Sequence, residues 1–314
     1  MSLIEKAARR LEELRRAGVG TPGHTVENAG VKPEFDRSSL ESLKAALMAE
    51  SNTPPHDLEI PTPAPISMPR SPTVDLDLSK LALSGFITPD VQRSRLAEEF
   101  RVLKRPLIVN ASGKSAVRIV NGNLIMVTSA VPGEGKSFTA INLAMSIAME
   151  LDRTVLLVDA DVARPSLPRL LGLSPNLGIL DVLQDQSLNL SDAILRTNID
   201  KLSVMTSGTP HPRATELLAS SEMTNLLHEM AQRYSDRIII FDSPPLLVTS
   251  EARALASSMG QILFVVRAET TLQSEVVRAL ATIDTCPVKL MLLNQARHSD
   301  AGSNYGYGYG YGYS

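Results

Sequence analysis

The chain has 314 residues, of which 43% are hydrophobic, enough to bury one large core with appendages. Its net charge of -3 gives no pull toward nucleic acid, and none is expected as a partner. A single cysteine, Cys286, excludes an intrachain disulfide and, in its apolar stretch, reads as a small buried hydrophobe.

The opening segment, residues 1–18, places Leu3, Ile4, Ala7, Leu11 and Leu14 at helical spacing with charges on the other face. This amphipathic helix could dock on protein or lie on a membrane surface. Glu5, Glu12 and Glu13 dilute the basic face, which favours protein. The same mixture of acids and bases does not suit a secretory signal, and no run of about 18 apolar residues exists. A cytoplasmic protein is therefore expected.

Residues 19–85 read as an extended linker, with seven prolines in the 21 residues "NTPPHDLEIPTPAPISMPRSP". A helix is predicted in "TPDVQRSRLAEEFRVLKRPL", marked by Val91, Leu96, Phe100 and Leu103 and ending before Pro106. It lies near the start of a domain expected over 86–300. There "LIMVTS", "TVLLVDAD", "LSVMTS", "RIIIFDSPP", "QILFVVRA" and "VKLMLLN" read as buried strands. Helices are expected over Lys136–Glu150, Ala214–Tyr234 and Leu272–Ile283. This alternation predicts an α/β, doubly wound, mostly parallel sheet with ligands at the carboxyl ends of its strands.

The first of those strands runs into "SAVPGEGKSFTAINLA", a phosphate-binding loop with Ala130 in place of its first glycine. The loop spans Ala130, Val131, Pro132, Gly133, Glu134, Gly135, Lys136, Ser137 and Phe138. Its backbone N–H groups would close around phosphate oxygens, Lys136 would neutralise the β and γ oxygens, and the Ser137 hydroxyl would take a place on Mg²⁺. Two more strands end in acids, Asp159 with Asp161 and then Asp242. An acid straight after four apolar residues is costly to bury without a cation, so these three are Mg²⁺ candidates, with helix capping as the blander role. ATP and Mg²⁺ are the expected ligands. The residues alone say ATPase or kinase.

Residues 301–314 hold five of the six tyrosines, in alternation with glycine: Tyr305, Tyr307, Tyr309, Tyr311 and Tyr313. Such a tail is either a substrate or an adhesive segment.

The set "SAVPGEGKS", "LLVDAD" and "IIIFDSPP" resembles the Walker A, A′ and B motifs of the bacterial protein-tyrosine kinases, which borrow the nucleotide fold of partition ATPases. "GTPHPRATELLASSEM" resembles a further block of that family, and "MSLIEKA" with "DADVARPSLPRLLGL" is similar to the subgroup of exopolysaccharide and PEP-CTERM loci. The resemblance covers roughly residues 90 to 314. It implies autophosphorylation of the tail tyrosines in trans within a ring-like homo-oligomer, assembled through Glu98, Arg101 and Lys104. It also implies a separate membrane polysaccharide co-polymerase as activator, an opposing protein-tyrosine phosphatase, and peripheral attachment at the inner face of the cytoplasmic membrane. In the family's terms Asp161 and Asp242 serve Mg²⁺, Asp159 orients or deprotonates the tyrosine, and Asn294 meets the adenine edge. Two positions depart from the pattern: Ala163 and Lys104 each stand where relatives carry arginine. Val131 occupies the place of the second loop lysine of partition ATPases, which argues against a pure positioning switch. A catalytically weak ATP-binding subunit is the other alternative.

Overall fold

The computed structural model describes residues 71–90 and 93–296. The expected N-terminal helix, most of the linker and the tyrosine tail lie outside the described residues. In chain order the strands are β1 (Thr73–Val74), β2 (Leu124–Ser129), β3 (Thr154–Asp159), β4 (Leu195–Thr197), β5 (Leu202–Met205), β6 (Arg237–Asp242), β7 (Gln261–Arg267) and β8 (Val288–Asn294). The helices are α1 (Leu78–Leu83), α2 (Arg95–Ala111), α3 (Lys136–Ala148), α4 (Leu167–Leu171), α5 (Ile179–Gln184), α6 (Ala214–Leu218), α7 (Ser221–Arg233), α8 (Ser250–Ala256) and α9 (Gln273–Leu280).

The strands form one sheet in the order β1-β4-β5-β3-β6-β2-β7-β8, parallel except where β4 meets β5. Parallel neighbours require crossovers, and the intervening helices cover both faces. That is why central strands such as "LIMVTS" are wholly buried and apolar up to their last two residues. On one face α2 and α3 pack through Phe100, Leu107, Ile141 and Leu143; on the other lie α5, α7 and α8 with Leu180, Leu227 and Leu255. The chain passes from β2 through α3 to β3, skipping the central place that β6 later fills. The loops after β2 and β3 therefore flank the end of β6, a crevice of the kind where open α/β sheets bind ligands.

Four expectations change. Residues 73–85 belong to the folded unit rather than the linker: β1 pairs with β4, and Leu76 and Leu81 are buried. The residues that follow hold the segment on α3, where the Phe86 and Phe138 rings lie 5.3 Å apart and Ile87 N–H donates to Asn142 Oδ1 at 2.7 Å. Second, α2 runs through Pro106 to Ala111 instead of stopping. Interior proline costs about 3 kcal/mol, but Ala97, Phe100, Lys104 and Leu107 form one buried stripe whose packing offsets it. Third, the helix expected over 214–234 is broken into α6 and α7, because Ser220 turns the chain and caps α7, its Oγ accepting from Met223 N–H at 3.2 Å. Fourth, β8 is an edge strand of alternating exposure, not a fully buried one, with Met291 and Leu293 in solvent. Cys286 is buried, as its surroundings predict. No helix among the described residues is long and apolar enough to cross a membrane.

Candidate functional site

The strand register sets the site. Asp159 lies opposite Asp242, and Val127, two residues before the end of β2, lies opposite Asp242 on its other side. The phosphate loop, both carboxylate loops and the start of α3 thus converge at one sheet edge.

Within the loop, Gly133 and Gly135 adopt φ of +84° and +96°, which side chains resist. Gly135 is doubly constrained, since a Cβ there would stand 2.1 Å from Asn294 Nδ2. Asn294 at the end of β8 donates from that amide to Glu134 O at 2.9 Å, which ties β8 to the loop. Lys136 is buried at the first position of α3. Burial pulls its pKa down, and the carboxylates of Asp242, Asp161 and Glu134 oppose that shift in decreasing order. Phe138 packs toward Phe86 rather than toward the loop's open side.

Glu134 does something its loop position does not reveal. Its side chain is 1% exposed and turns inward. Oε2 accepts from Val131 N–H at 2.7 Å, while Oε1 accepts from Arg267 N–H at 3.3 Å and the Thr271 hydroxyl at 2.5 Å. One carboxylate therefore clamps the phosphate loop to the turn after β7. The only sequence signal for this is the presence of an acid inside an otherwise anion-binding loop.

The three acids have unlike surroundings. Asp159 is fully buried, and its oxygens accept backbone N–H bonds from Asp161 at 3.3 Å, Ser166 at 3.1 Å and Leu167 at 3.0 Å. It folds the loop and the start of α4 beneath the site. Burial, followed by the charge of Asp242, pushes its carboxyl up to about 8. Asp161 is half-buried, accepts from Arg164 N–H at 3.1 Å, and has its pKa raised chiefly by burial. Glu251, 3% exposed at the start of α8, adds to that rise and is a further carboxylate near the site that the motifs did not point to. The neighbouring Ala163 and Arg164 are both exposed.

Asp242 is buried, and burial raises its carboxyl to about 6 against the pull of Ser137 and Lys136. Ser166 Oγ lies 2.8 Å from Ser137 Oγ and 3.3 Å from Asp242 Oδ2. A hydroxyl has one proton, so it can donate to only one of them at a time. Asp242 Oδ1 is buried without any hydrogen-bond partner. An unpaired carboxylate oxygen beside a serine hydroxyl is a hard, oxygen-only donor set that suits Mg²⁺, which takes one or two protein ligands and completes its shell with phosphate and water. Among the described residues no three His, Cys, Asp or Glu side chains are grouped closely enough to hold a metal without such help.

Of the expected oligomerisation residues, Glu98 and Arg101 are exposed and form an ion pair one turn apart on α2. Lys104 is not with them. It is buried, donates to Ser146 O at 2.5 Å and pairs with Glu150 Oε1 at 2.7 Å, so it joins α2 to α3 inside the protomer. The buried stripe that carries α2 through Pro106 also turns Lys104 inward.

A sheet of this order with a phosphate loop after β2 defines a P-loop NTPase of the ParA type. The ParA family model described as "NUBPL iron-transfer P-loop NTPase" matches residues 121–281, about half the chain. Tyrosine-protein kinase YwqD of Bacillus subtilis is 35% identical over 183 residues, 57% of this chain and 76% of that protein. Tyrosine-protein kinase ptk of Acinetobacter johnsonii is 33% identical over 189 residues, 60% of this chain but 25% of that longer protein. The solved kinase domain of Escherichia coli tyrosine kinase ETK superposes with a TM-score of 0.52 at 30% identity, covering 61% of this chain and 73% of that one. Within the ParA-type class, the chain belongs to the bacterial tyrosine-protein kinases, and its enzymatic class is protein-tyrosine kinase.

Proposed function

We propose that this chain is an ATP-dependent tyrosine autokinase whose acceptors are Tyr305, Tyr307, Tyr309, Tyr311 and Tyr313, presented by one subunit to the site of the next. The observation that carries the reading is the unpaired, buried Asp242 Oδ1 beside Ser137 and Lys136 at the mouth of a phosphate loop. Loop amides and Lys136 hold the β and γ phosphates of ATP, and Ser137 with Asp242 holds Mg²⁺. Bound there, Mg²⁺ offsets negative charge on the phosphate oxygens during transfer. A tyrosine of pKa near 10 is about one part in a thousand ionised at neutral pH and needs a base. Asp161 takes that role because Asp159 is committed to backbone amides. Asn294 reaches the base of the nucleotide from the end of β8, and Glu98 with Arg101 contributes to subunit contact.

The resemblance extends the reading to regulation: a membrane polysaccharide co-polymerase recruits and activates the kinase at the inner face of the cytoplasmic membrane, a protein-tyrosine phosphatase resets it, and the cycle controls exopolysaccharide synthesis and export. Intact-mass measurement of the protein with ATP and Mg²⁺, alone and with the activator's cytoplasmic segment, tests the catalytic core. Stepwise phosphate gains confined to the tail and absent in Lys136→Met are expected. ATP consumption with no gain in mass would replace the autokinase with a positioning switch, and binding without consumption would replace it with a regulatory subunit.

A further inference from the structure

A polar cavity lies at the amino-terminal ends of β3, β5 and β6, the end of the sheet opposite the phosphate loop. There β3 and β6 begin side by side, with Thr154 opposite Arg237, and between β4 and β5 Arg196 lies opposite Ser203. Side chains alternate along a strand, so Thr154, Ser203 and Arg237 point to the face on which Leu156, Met205 and Ile239 pack two residues further on. Arg196 shares that face with its partner Ser203. The four open into a cavity of about 370 Å³, with Asp200, Lys201 and Tyr234 also in its wall. That volume is at the low end for ligand pockets, and the polar wall calls for a polar ligand.

The wall is rich in donors that the protein itself does not use. Among the described residues neither the Arg196 nor the Arg237 guanidinium has a hydrogen-bond or ion-pair partner; Arg237 lies over the Tyr234 ring instead, 4.8 Å from its centroid. Lys201 Nζ gives one bond to Glu150 O at 3.0 Å and keeps two protons free. Thr154 Oγ1 is buried without any hydrogen-bond partner, a cost that folded proteins rarely carry. Three cations against the single carboxylate of Asp200 leave the wall at a net +2. The ligand that answers such a wall is a dianion that only accepts hydrogen bonds, and the planar fork of arginine suits its oxygens.

We propose that this cavity is a second anion site, for a phosphomonoester dianion gripped by Arg196 and Arg237 and receiving a hydrogen bond from the Thr154 hydroxyl. A phosphomonoester carries about -1.5 to -2 charges at neutral pH, which matches the wall. A ligand here and ATP at the phosphate loop occupy opposite ends of β3 and β6, so both can be bound at once. The ester is either a small free phosphate or a phosphotyrosine, and only the second source rests on the autokinase reading.

Methyl phosphate, phenyl phosphate and acetate, each titrated into the full chain carrying Lys136→Met, test the site by amide NMR; the substitution weakens the phosphate loop's own hold on anions. Methyl phosphate is expected to shift the amides of Thr154, Lys201 and Arg237, and Arg196→Gln with Arg237→Gln should weaken its affinity at least tenfold. Thr154→Val separates a ligand contact from a structural role: binding should weaken about threefold or more while urea stability stays equal or rises, since the hydroxyl it removes has no partner in the protein. Phenyl phosphate binding about tenfold tighter than methyl phosphate would support the site with phosphotyrosine as its ligand, and equal affinity would support it with a small free phosphomonoester. Failure of tail phosphorylation would leave methyl phosphate binding untouched. Shifts confined to the phosphate loop, an affinity unchanged in the double arginine variant, or acetate bound as tightly as methyl phosphate would overturn the proposal.

Discussion

Replacing Glu134 by alanine tests whether the phosphate loop is held from within. Glu134→Ala removes the acceptor for Val131 N–H and Arg267 N–H and frees the Thr271 hydroxyl, which can rotate to another partner. Arg267 N–H keeps the Thr271 hydroxyl oxygen as acceptor at 3.2 Å, so only Val131 N–H is left unsatisfied; with the lost bonds charge-assisted, a total of about 2–3 kcal/mol is expected. For a domain of this size that lowers the melting temperature by roughly 5–12 °C. Glu134→Gln should cost about half as much, because its carbonyl oxygen still serves one amide while its amino group opposes the other. The functional consequence follows from the clamp: once Val131 is released, the loop N–H groups no longer hold their phosphate-binding arrangement, and the KM for ATP should rise more than kcat falls. Urea unfolding of the three proteins, followed by ATP-dependent phosphorylation kinetics, provides the assay. If Glu134→Ala unfolds within about 0.5 kcal/mol of the parent, the carboxylate bears no such load and the reasoning fails.

Other consequences follow from the buried charges. Asp159 and Asp242 have carboxyls raised to about 8 and about 6, so between pH 4 and 8 the folded state binds more protons than the unfolded one. Their contribution is therefore present at low pH and lost as pH rises through 6 and 8. Urea unfolding without nucleotide and Mg²⁺ should show a loss of about 3–4 kcal/mol from pH 5.5 to 8, and Asp242→Asn should flatten the slope; stability rising across this window would contradict the assignment. Ser166→Ala removes the hydroxyl now lying between Ser137 and Asp242, so Mg²⁺-dependent nucleotide binding should be equal or tighter by calorimetry, and a tenfold weakening would instead make Ser166 a ligand. Lys104→Met should lower stability by about 1–2 kcal/mol, discounted because Glu150 retains access to water, and should leave the assembly state measured by light scattering unchanged at matched folded fraction.

The sequence by itself determined the class of fold and the identity of the site. Strands apolar on both faces, separated by amphipathic stretches, have few ways to hide their surface other than a parallel sheet between helix layers, and "VPGEGKS" after such a strand leaves little choice of ligand. The central strands and the candidate residues Lys136, Ser137, Asp161 and Asp242 were legible for that reason. What each side chain faces was not, because that depends on neighbours distant in the chain. Glu134 turned inward once the end of β7 supplied Arg267 and the turn after it Thr271, 133 and 137 residues away. Asp159 became a cap for the loop leading into α4, and Lys104 joined α3 because the stripe of α2 that includes it is the packed one. Pro106 looked like a helix end by local propensity, yet the packing of Leu107, fully buried beyond it, outweighed the cost. Residues 73–85 looked like linker because their few apolar side chains show no long period, whereas Leu76 and Leu81 each find a place in the core. Local pattern fixes which elements form and which chemistry is available; only tertiary packing assigns each charged side chain to the interior, the site or the solvent, since the cost of burying it is set by the partners the fold brings to it.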